Sequence, residues 1–291
     1  MRVIVTGAYG QLGGALCRQL GPAAIGLDVD TFDLANGPAI GETIGRLAPG
    51  LVINCAAYTQ VDKAESEPEI CRAINAAAVE QLAAACRQLD CPLVEISTDY
   101  VFGSQPGRII PYQESDRPAP QGIYARTKLE GERAAARWEK HLIVRTCGLY
   151  AQPADERARN FVRAMLHVGR QPGRVRVVAD QRCTPTYVPH VARAILFLAG
   201  VTAPQPAPWG TYHVTNRGET TWYEFAADIF RLAGLDVALE PITSAEYGAP
   251  AARPAYSVLD TAAYHRLGGP AMPEWREALE EYFGALGDCP K

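Results

Sequence analysis

The sequence has no apolar run long enough to cross a bilayer, which excludes a membrane-spanning helix. It has no block of like charges, and its formal net charge of -4 excludes the basic surface that a nucleic-acid binder needs. It holds only five histidines, far apart along the chain, so no metal site is expected. Its eight cysteines, at 17, 55, 71, 86, 91, 147, 183 and 289, include no Cys-x-x-Cys pair. Several lie in apolar runs. Buried thiols in a reducing, cytoplasmic setting are expected in place of disulfides or zinc. No internal repeat or low-complexity tail appears, and Met1–Gly7 reads as a strand entering a turn, not as a signal peptide. With 291 residues, 48% of them hydrophobic, the chain can bury a large core as one domain or two lobes.

The β-branched run Arg2–Thr6 leads into Gly7-Ala8-Tyr9-Gly10-Gln11-Leu12-Gly13 and then an apolar-faced helix. Strand, glycine turn and helix open a dinucleotide-binding unit. Gly7 permits the tight turn, Gly10 lets the backbone approach a pyrophosphate, and Gly13 lets the helix pack on the strand. The helix N-terminus offers N–H donors to phosphate. The second strand, Ala23–Leu27, ends at Asp28, whose carboxylate suits the adenosine ribose hydroxyls. Asp33 and Leu34 follow, placed to flank the adenine. No arginine or lysine lies between Asp28 and Glu42 to hold a 2′-phosphate, which leans toward NADH over NADPH. The third strand, 51–54, runs into Cys55-Ala56-Ala57-Tyr58-Thr59, where small residues let a cofactor lie across the sheet edge.

A single helical period runs from Pro68 to about Leu89. The fourth strand, Pro92–Ile96, is apolar except for Glu95, and it delivers Ser97 and Thr98 to its C-terminal end, where ligands of such sheets bind. After a long loop, Tyr124-Ala-Arg-Thr-Lys128 places a phenol and an ammonium four residues apart on one helix face. A nearby cation lowers a phenol's pKa and makes it a usable proton donor. The fifth strand is 141–146.

The alternation predicts an α/β fold: a Rossmann-type, doubly wound parallel sheet over residues 1–150, with a smaller C-terminal α/β substrate lobe over 151–291 whose segments can interleave. In that lobe Ala151–Arg159 reads as a polar loop, Tyr256–Leu259 as a strand, Thr221–Glu224 as a capping box, and Glu274–Phe283 as a last helix closed by Gly284. Arg253, in Arg-Pro-x-x-Ser, either holds a pyrophosphate bidentately or bridges the lobes.

Gly7-x-x-Gly10-Gln11-Leu12-Gly13, Ser97-Thr98-Asp99-Tyr100-Val101-Phe102 and Tyr124-x-x-x-Lys128 together resemble the extended short-chain dehydrogenases/reductases. Within that superfamily the chain is most similar to the dTDP-4-dehydrorhamnose reductase family. The likeness extends over Val61–Pro68, Asp180-Gln181, Thr184-Pro185-Thr186, Gly210–His213, Thr220–Trp222 and Arg253–Ser257, and so over essentially the whole chain.

The resemblance implies NAD(P)H-dependent reduction of the 4-keto group of a nucleotide-activated 6-deoxysugar, dTDP-4-dehydro-L-rhamnose to dTDP-L-rhamnose. It implies Tyr124 as catalytic acid and Lys128 as its partner and a ligand of the nicotinamide ribose. Thr98 would bond the reacting oxygen, with Asp99 at the sugar. Gly10, Gln11 and Leu12 would lie at the pyrophosphate, and Ala57, Tyr58 and Thr59 along the cofactor. Two departures stand out. Where the family places a tryptophan against the sugar, the run is Arg145-Thr146-Cys147-Gly148, and Tyr100 and Tyr150 are the nearest candidates to fill the gap. Some members form a homodimer through a magnesium held by glutamates, and Ala15 stands in one of those places, so the dimer stays open and the metal is not carried over. The alternatives are another sugar-nucleotide reductase or epimerase, which Gly148 favours, and a non-catalytic dinucleotide-binding regulatory subunit, which Thr98, Tyr124 and Lys128 oppose.

Overall fold

Six short strands form one parallel sheet: β1 (Val3–Thr6), β2 (Ala24–Leu27), β3 (Leu51–Asn54), β4 (Leu93–Thr98), β5 (His141–Thr146) and β6 (Gly210–His213); the central strands β1 and β3 are apolar but for their last residues and buried on both faces. A computed structural model describes residues 1–151 and 160–287. Most of the expected 151–159 loop, and Cys289, lie outside the described residues. The strand order is β6-β5-β4-β3-β1-β2, all parallel. The order in which strands are added therefore reverses between β1 and β3, and the crevice at their carboxyl ends is the place for a ligand.

Helices cover both faces. Ile40 and Ile44 of α2 (Gly37–Leu47), Leu82 and Cys86 of α3 (Ala78–Gln88), and Ala134 and Ala135 of α4 (Gly122–Ala135) pack with Ile4 and Val52. Leu12 and Leu16 of α1 (Gln11–Leu20) and Val191 and Ile195 of α5 (Val188–Leu198) pack with Val3, Val5 and Ile53 on the other face. Alternate residues of β1 thus serve opposite cores, as a period of two requires. Both α5 and β6 come from the C-terminal half of the chain.

The second body pairs Arg174–Val178 with Ala238–Ile242 in parallel. Against these lie α6 (Trp222–Ala233) and an aromatic core of Tyr150, Tyr187, Phe225, Trp275 and Tyr282. The Thr221 box is formed: Glu224 N–H donates to Thr221 Oγ1 at 3.1 Å, and Thr221 N–H to Glu224 Oε2 at 2.9 Å.

Three local expectations differ. The Pro68–Leu89 period is broken by a π-turn over Ala73–Ala77, which turns Asn75 inward to accept from Tyr58 N–H at 2.8 Å. Tyr256–Leu259 makes isolated bridges to Arg182 and Tyr112 instead of a strand. The last helix passes Gly284 and runs to Gly287, since a helical glycine costs only about 1 kcal/mol.

Candidate active site

A cleft of about 560 Å³ opens at the carboxyl ends of β1 and β3. Gly7, Gly10, Gln11, Leu12, Gly13, Asp28, Asp33, Leu34, Cys55, Ala57 and Thr59 line it, together with Phe32, Ile74 and Leu149, which the sequence does not single out. Gly7 has φ +64°, and a Cβ on Gly13 would collide with the Gly7 carbonyl oxygen, so helix and turn approach at glycine-only distance. The N-terminus of α1 has no side-chain cap and no acidic residue in its first turn, which leaves its amides to an anion. These features fit a dinucleotide pyrophosphate.

Asp28 accepts from Tyr9 N–H at 2.7 Å and from Val29 N–H at 2.8 Å, which fixes its carboxylate at the cleft. Gln11 Oε1 accepts from Ala151 N–H at 2.9 Å and from Asn160 Nδ2 at 2.8 Å, tying the glycine turn to the chain beyond β5. Tyr58 is absent from the lining. Its ring packs with Ala64 and Cys71, and its hydroxyl donates to Glu67 at 2.6 Å.

Thr98 ends β4, and Tyr124 and Lys128 lie on α4, so all three sit at the sheet's carboxyl end. The Thr98 hydroxyl stands near enough to the Tyr124 phenol to favour its ionised form. Burial raises the Tyr124 pKa and Lys128 lowers it; burial prevails, so the phenol keeps its proton at neutral pH. The cation thus moderates a shift that it does not reverse. Lys128 Nζ donates to Glu95 Oε1 at 2.6 Å, both groups being buried.

Asp99 is also buried. It accepts from Thr98 Oγ1 at 3.1 Å and from Ser257 Oγ at 2.5 Å. Burial pushes its carboxyl up to about 6, against the hydrogen bonds from Ser257, Cys147 and Thr98. Its contacts steady Thr98 and join the two lobes.

A second cleft, about 280 Å³, is lined by Tyr100, Phe161, Arg176, Gln181, Trp222, Tyr247 and Arg253 among others. Arg253 forms the inter-lobe ion pair: its two terminal nitrogens donate to the Asp62 carboxylate at 3.0 and 2.7 Å. The same side chain lines the cleft. Gly148 has φ +52°, and a Cβ there would stand 3.1 Å from Trp222 Cη2 and 3.2 Å from Pro185 Cα. The space beside Gly148 is filled by Trp222. Tyr150 instead stacks with Tyr187 in the aromatic core, while Tyr100 lines the cleft. Among the described residues no group of three or more His, Cys, Asp or Glu could hold a metal ion, and no helix is long and apolar enough to cross a membrane.

A family model described as the RmlD substrate binding domain matches residues 1–287. The chain is 40% identical to a dTDP-4-dehydrorhamnose reductase of Streptomyces griseus, covering 98% of this chain and 94% of that protein. It is 38% identical to a probable dTDP-4,6-dihydroxy-2-methyloxan-3-one 4-ketoreductase of Streptomyces antibioticus, over 97% and 95%. A solved dTDP-4-dehydrorhamnose reductase of Bacillus anthracis, in complex with NADP, superposes with a TM-score of 0.89 at 38% identity, over 98% of this chain and 99% of that one.

Proposed function

The chain belongs to the dTDP-4-dehydrorhamnose reductase family, matched by the RmlD substrate binding domain, and from that membership we propose that it reduces the 4-keto group of a dTDP-linked 6-deoxysugar, dTDP-4-dehydro-L-rhamnose to dTDP-L-rhamnose. It is an NAD(P)H-dependent oxidoreductase. The observation that carries the reading is the meeting of Thr98, Tyr124 and Lys128 beside a cleft fitted to a dinucleotide.

A reduced nicotinamide in the first cleft supplies the hydride. The amides of Gly10–Gly13 would hold the pyrophosphate, and Asp28 the adenosine ribose. Asp33 and Leu34 would flank the adenine, and the backbone of Ala57–Thr59 would run along the cofactor. Thr98 orients the substrate carbonyl oxygen. Tyr124 donates its proton to that oxygen as negative charge develops there, and the Lys128 ammonium stabilises the phenolate left behind. Proton donation by a group that is protonated at neutral pH matches the direction of the reaction.

Residues 1–150 form the cofactor side in this reading. Residues 151–291 form the substrate side, apart from α5 and β6. Arg253 would hold the diphosphate of the sugar nucleotide, with Asp99 and the wall at Gly148 near the sugar. A homodimer without a bridging metal and a cytoplasmic setting belong to the proposal, the latter supported by seven free thiols among the described residues. The likeness to a 4-ketoreductase named for a different sugar favours a second reading, the same chemistry on another dTDP-sugar. NADPH and NADH oxidation followed with a panel of dTDP-4-keto sugars tests both. Turnover of the rhamnose precursor above all others supports the first reading, turnover of another sugar alone supports the second, and none with any 4-keto sugar overturns both.

A further inference from the structure

Glu95 is the one polar residue of an otherwise apolar stretch of β4, and it is completely buried. A lone carboxylate there would cost several kcal/mol, so it needs partners. It has two. Lys128 Nζ donates to Oε1 at 2.6 Å, and Asn54 Nδ2 donates to Oε2 at 2.5 Å. Thr6 Oγ1 in turn donates to Asn54 Oδ1 at 2.5 Å. The chain Thr6–Asn54–Glu95–Lys128 crosses β1, β3 and β4 and ends at the catalytic helix. Thr6 and Asn54 are the last residues of β1 and β3, Glu95 lies in the middle of β4, and Lys128 comes from α4.

Resting on the assignment of Tyr124 as the proton donor, we propose that Glu95 is a positioning residue, whose carboxylate holds the Lys128 ammonium and sets the pH at which the Tyr124–Lys128 pair loses its first proton. Burial works against the charge on Lys128, and Glu95, with Tyr124 and Glu132, more than offsets it, so the ammonium pKa is raised. Burial also pushes the Glu95 carboxyl up, opposed by Lys128 and Asn54.

The surrounding charges leave Glu95 in this role. Glu132, one turn further along α4, is taken by Arg145 of β5 through bonds of 2.8 and 2.7 Å. His213 of β6, beyond Arg145, is held neutral, its pKa lowered to about 3 by burial and by that guanidinium. The Cys55 thiol just after β3 is pushed well up by burial and by Glu95 and stays protonated, and burial raises Cys17 on α1 and Cys71. The Asp99 carboxyl also acts on Tyr124, raising its pKa.

Neutralising Glu95 removes one negative charge beside a coupled acid pair. The first proton then leaves more easily, whether the phenol or the ammonium gives it up. Glu95→Gln should move the alkaline limb of kcat to lower pH by roughly 1–3 pH units, the effect of one charge at this range. Glu95→Asp, which keeps the charge but withdraws it by one methylene, should place the limb between wild type and Gln.

The same ordering should appear without substrate. The ultraviolet tyrosinate titration of each protein, minus that of its Tyr124→Phe counterpart, isolates Tyr124. The expected result is a Tyr124–Lys128 transition displaced downward in Asp and further in Gln. A Gln variant that folds, loses kcat evenly at all pH and titrates like wild type overturns the proposal. If Gln does not fold, a wild-type titration in Asp overturns it. A protein that turns over no 4-keto sugar yet shows the ordered titrations would leave the Glu95 assignment standing while the functional reading fell.

Discussion

Gly148 and Trp222 meet across the two lobes: a Cβ on Gly148 would stand 3.1 Å from the tip of the indole, with the Pro185 backbone on its other side. The glycine is required by its neighbours and by a φ of +52°. The space beside Gly148 is therefore occupied, by a ring that comes from a helix seventy-odd residues further on. Gly148→Trp should force Trp222 aside and raise KM for the native sugar. Trp222→Ala should also raise KM, through the loss of contact with the bound ring. Steady-state kinetics on both decides this, and an improved kcat/KM in Gly148→Trp would show the wall to be vacant.

Tyr124→Phe keeps the ring and removes the proton. Turnover should fall roughly a hundredfold or more, the usual worth of general acid catalysis, with cofactor affinity unchanged. Stopped assays beside calorimetric titration of the cofactor separate the two quantities. A near-normal kcat would remove Tyr124 from its role.

Arg253 and Asp62 form a bidentate pair with the arginine largely covered, and the Asp62 carboxyl is held below the usual range chiefly by that hydrogen bond. Arg253→Ala should raise KM far more than it lowers Tm. Asp62→Ala, which frees the guanidinium, should lower Tm without the same rise in KM. The reverse pattern, a large fall in Tm with unchanged KM for Arg253→Ala, would reduce the arginine to a strut.

Asp28 holds its carboxylate in the cofactor cleft by two backbone amides. A 2′-phosphate nearby meets that negative charge. NADH should bind at least as tightly as NADPH, even though a relative has been solved with NADP, and Asp28→Ala should narrow the difference. Calorimetry with both dinucleotides is the measurement. A clear NADPH preference that does not weaken with added salt would count against the carboxylate's role.

His213 offers a pH signature of stability. Its Nδ1 lies 3.0 Å from the Tyr112 carbonyl oxygen and its Nε2 3.3 Å from Arg145. The ring is thus neutral, a proton on Nδ1 facing the carbonyl and Nε2 accepting from the guanidinium. Its folded pKa, near 3, lies below the ordinary value of 6.5, so between these values the unfolded chain binds more protons. Stability should fall as pH drops through that window, by up to about 1.4 kcal/mol per pH unit from this group. Urea melts across the range, compared with His213→Gln, should show a shallower slope in the variant.

The cofactor cleft was largely legible in the sequence because its determinants are local: glycines at fixed spacing, an acid at a strand end, small residues after β3. The Tyr124–Lys128 pair was legible for the same reason, since four residues on a helix define a face. What escaped were relations between distant segments. Trp222 reads locally as the first residue after a helix cap, and nothing in Thr221–Glu224 points to Gly148. Asn75 lies inside an unbroken helical period, and only the packing of α4 against it reveals the π-turn. Glu95 was visible as an exception in an apolar strand, but its partner lay 33 residues away. At Tyr58 the segment was legible but not the side chain: its neighbours Ala57 and Thr59 line the cleft, while its own hydroxyl donates to Glu67.

The position of β6 bears on how the chain is made. As synthesis proceeds from the N-terminus, five strands emerge by residue 146, but the strand that covers β5 waits until residue 213. Over that interval β5 is an exposed edge of bare amides and carbonyls, the kind that recruits other chains. A ribosome-bound fragment, or a chain cut at the lobe boundary, carries that open edge. The late closing strand makes the first half of the molecule dependent on the second to complete its own sheet.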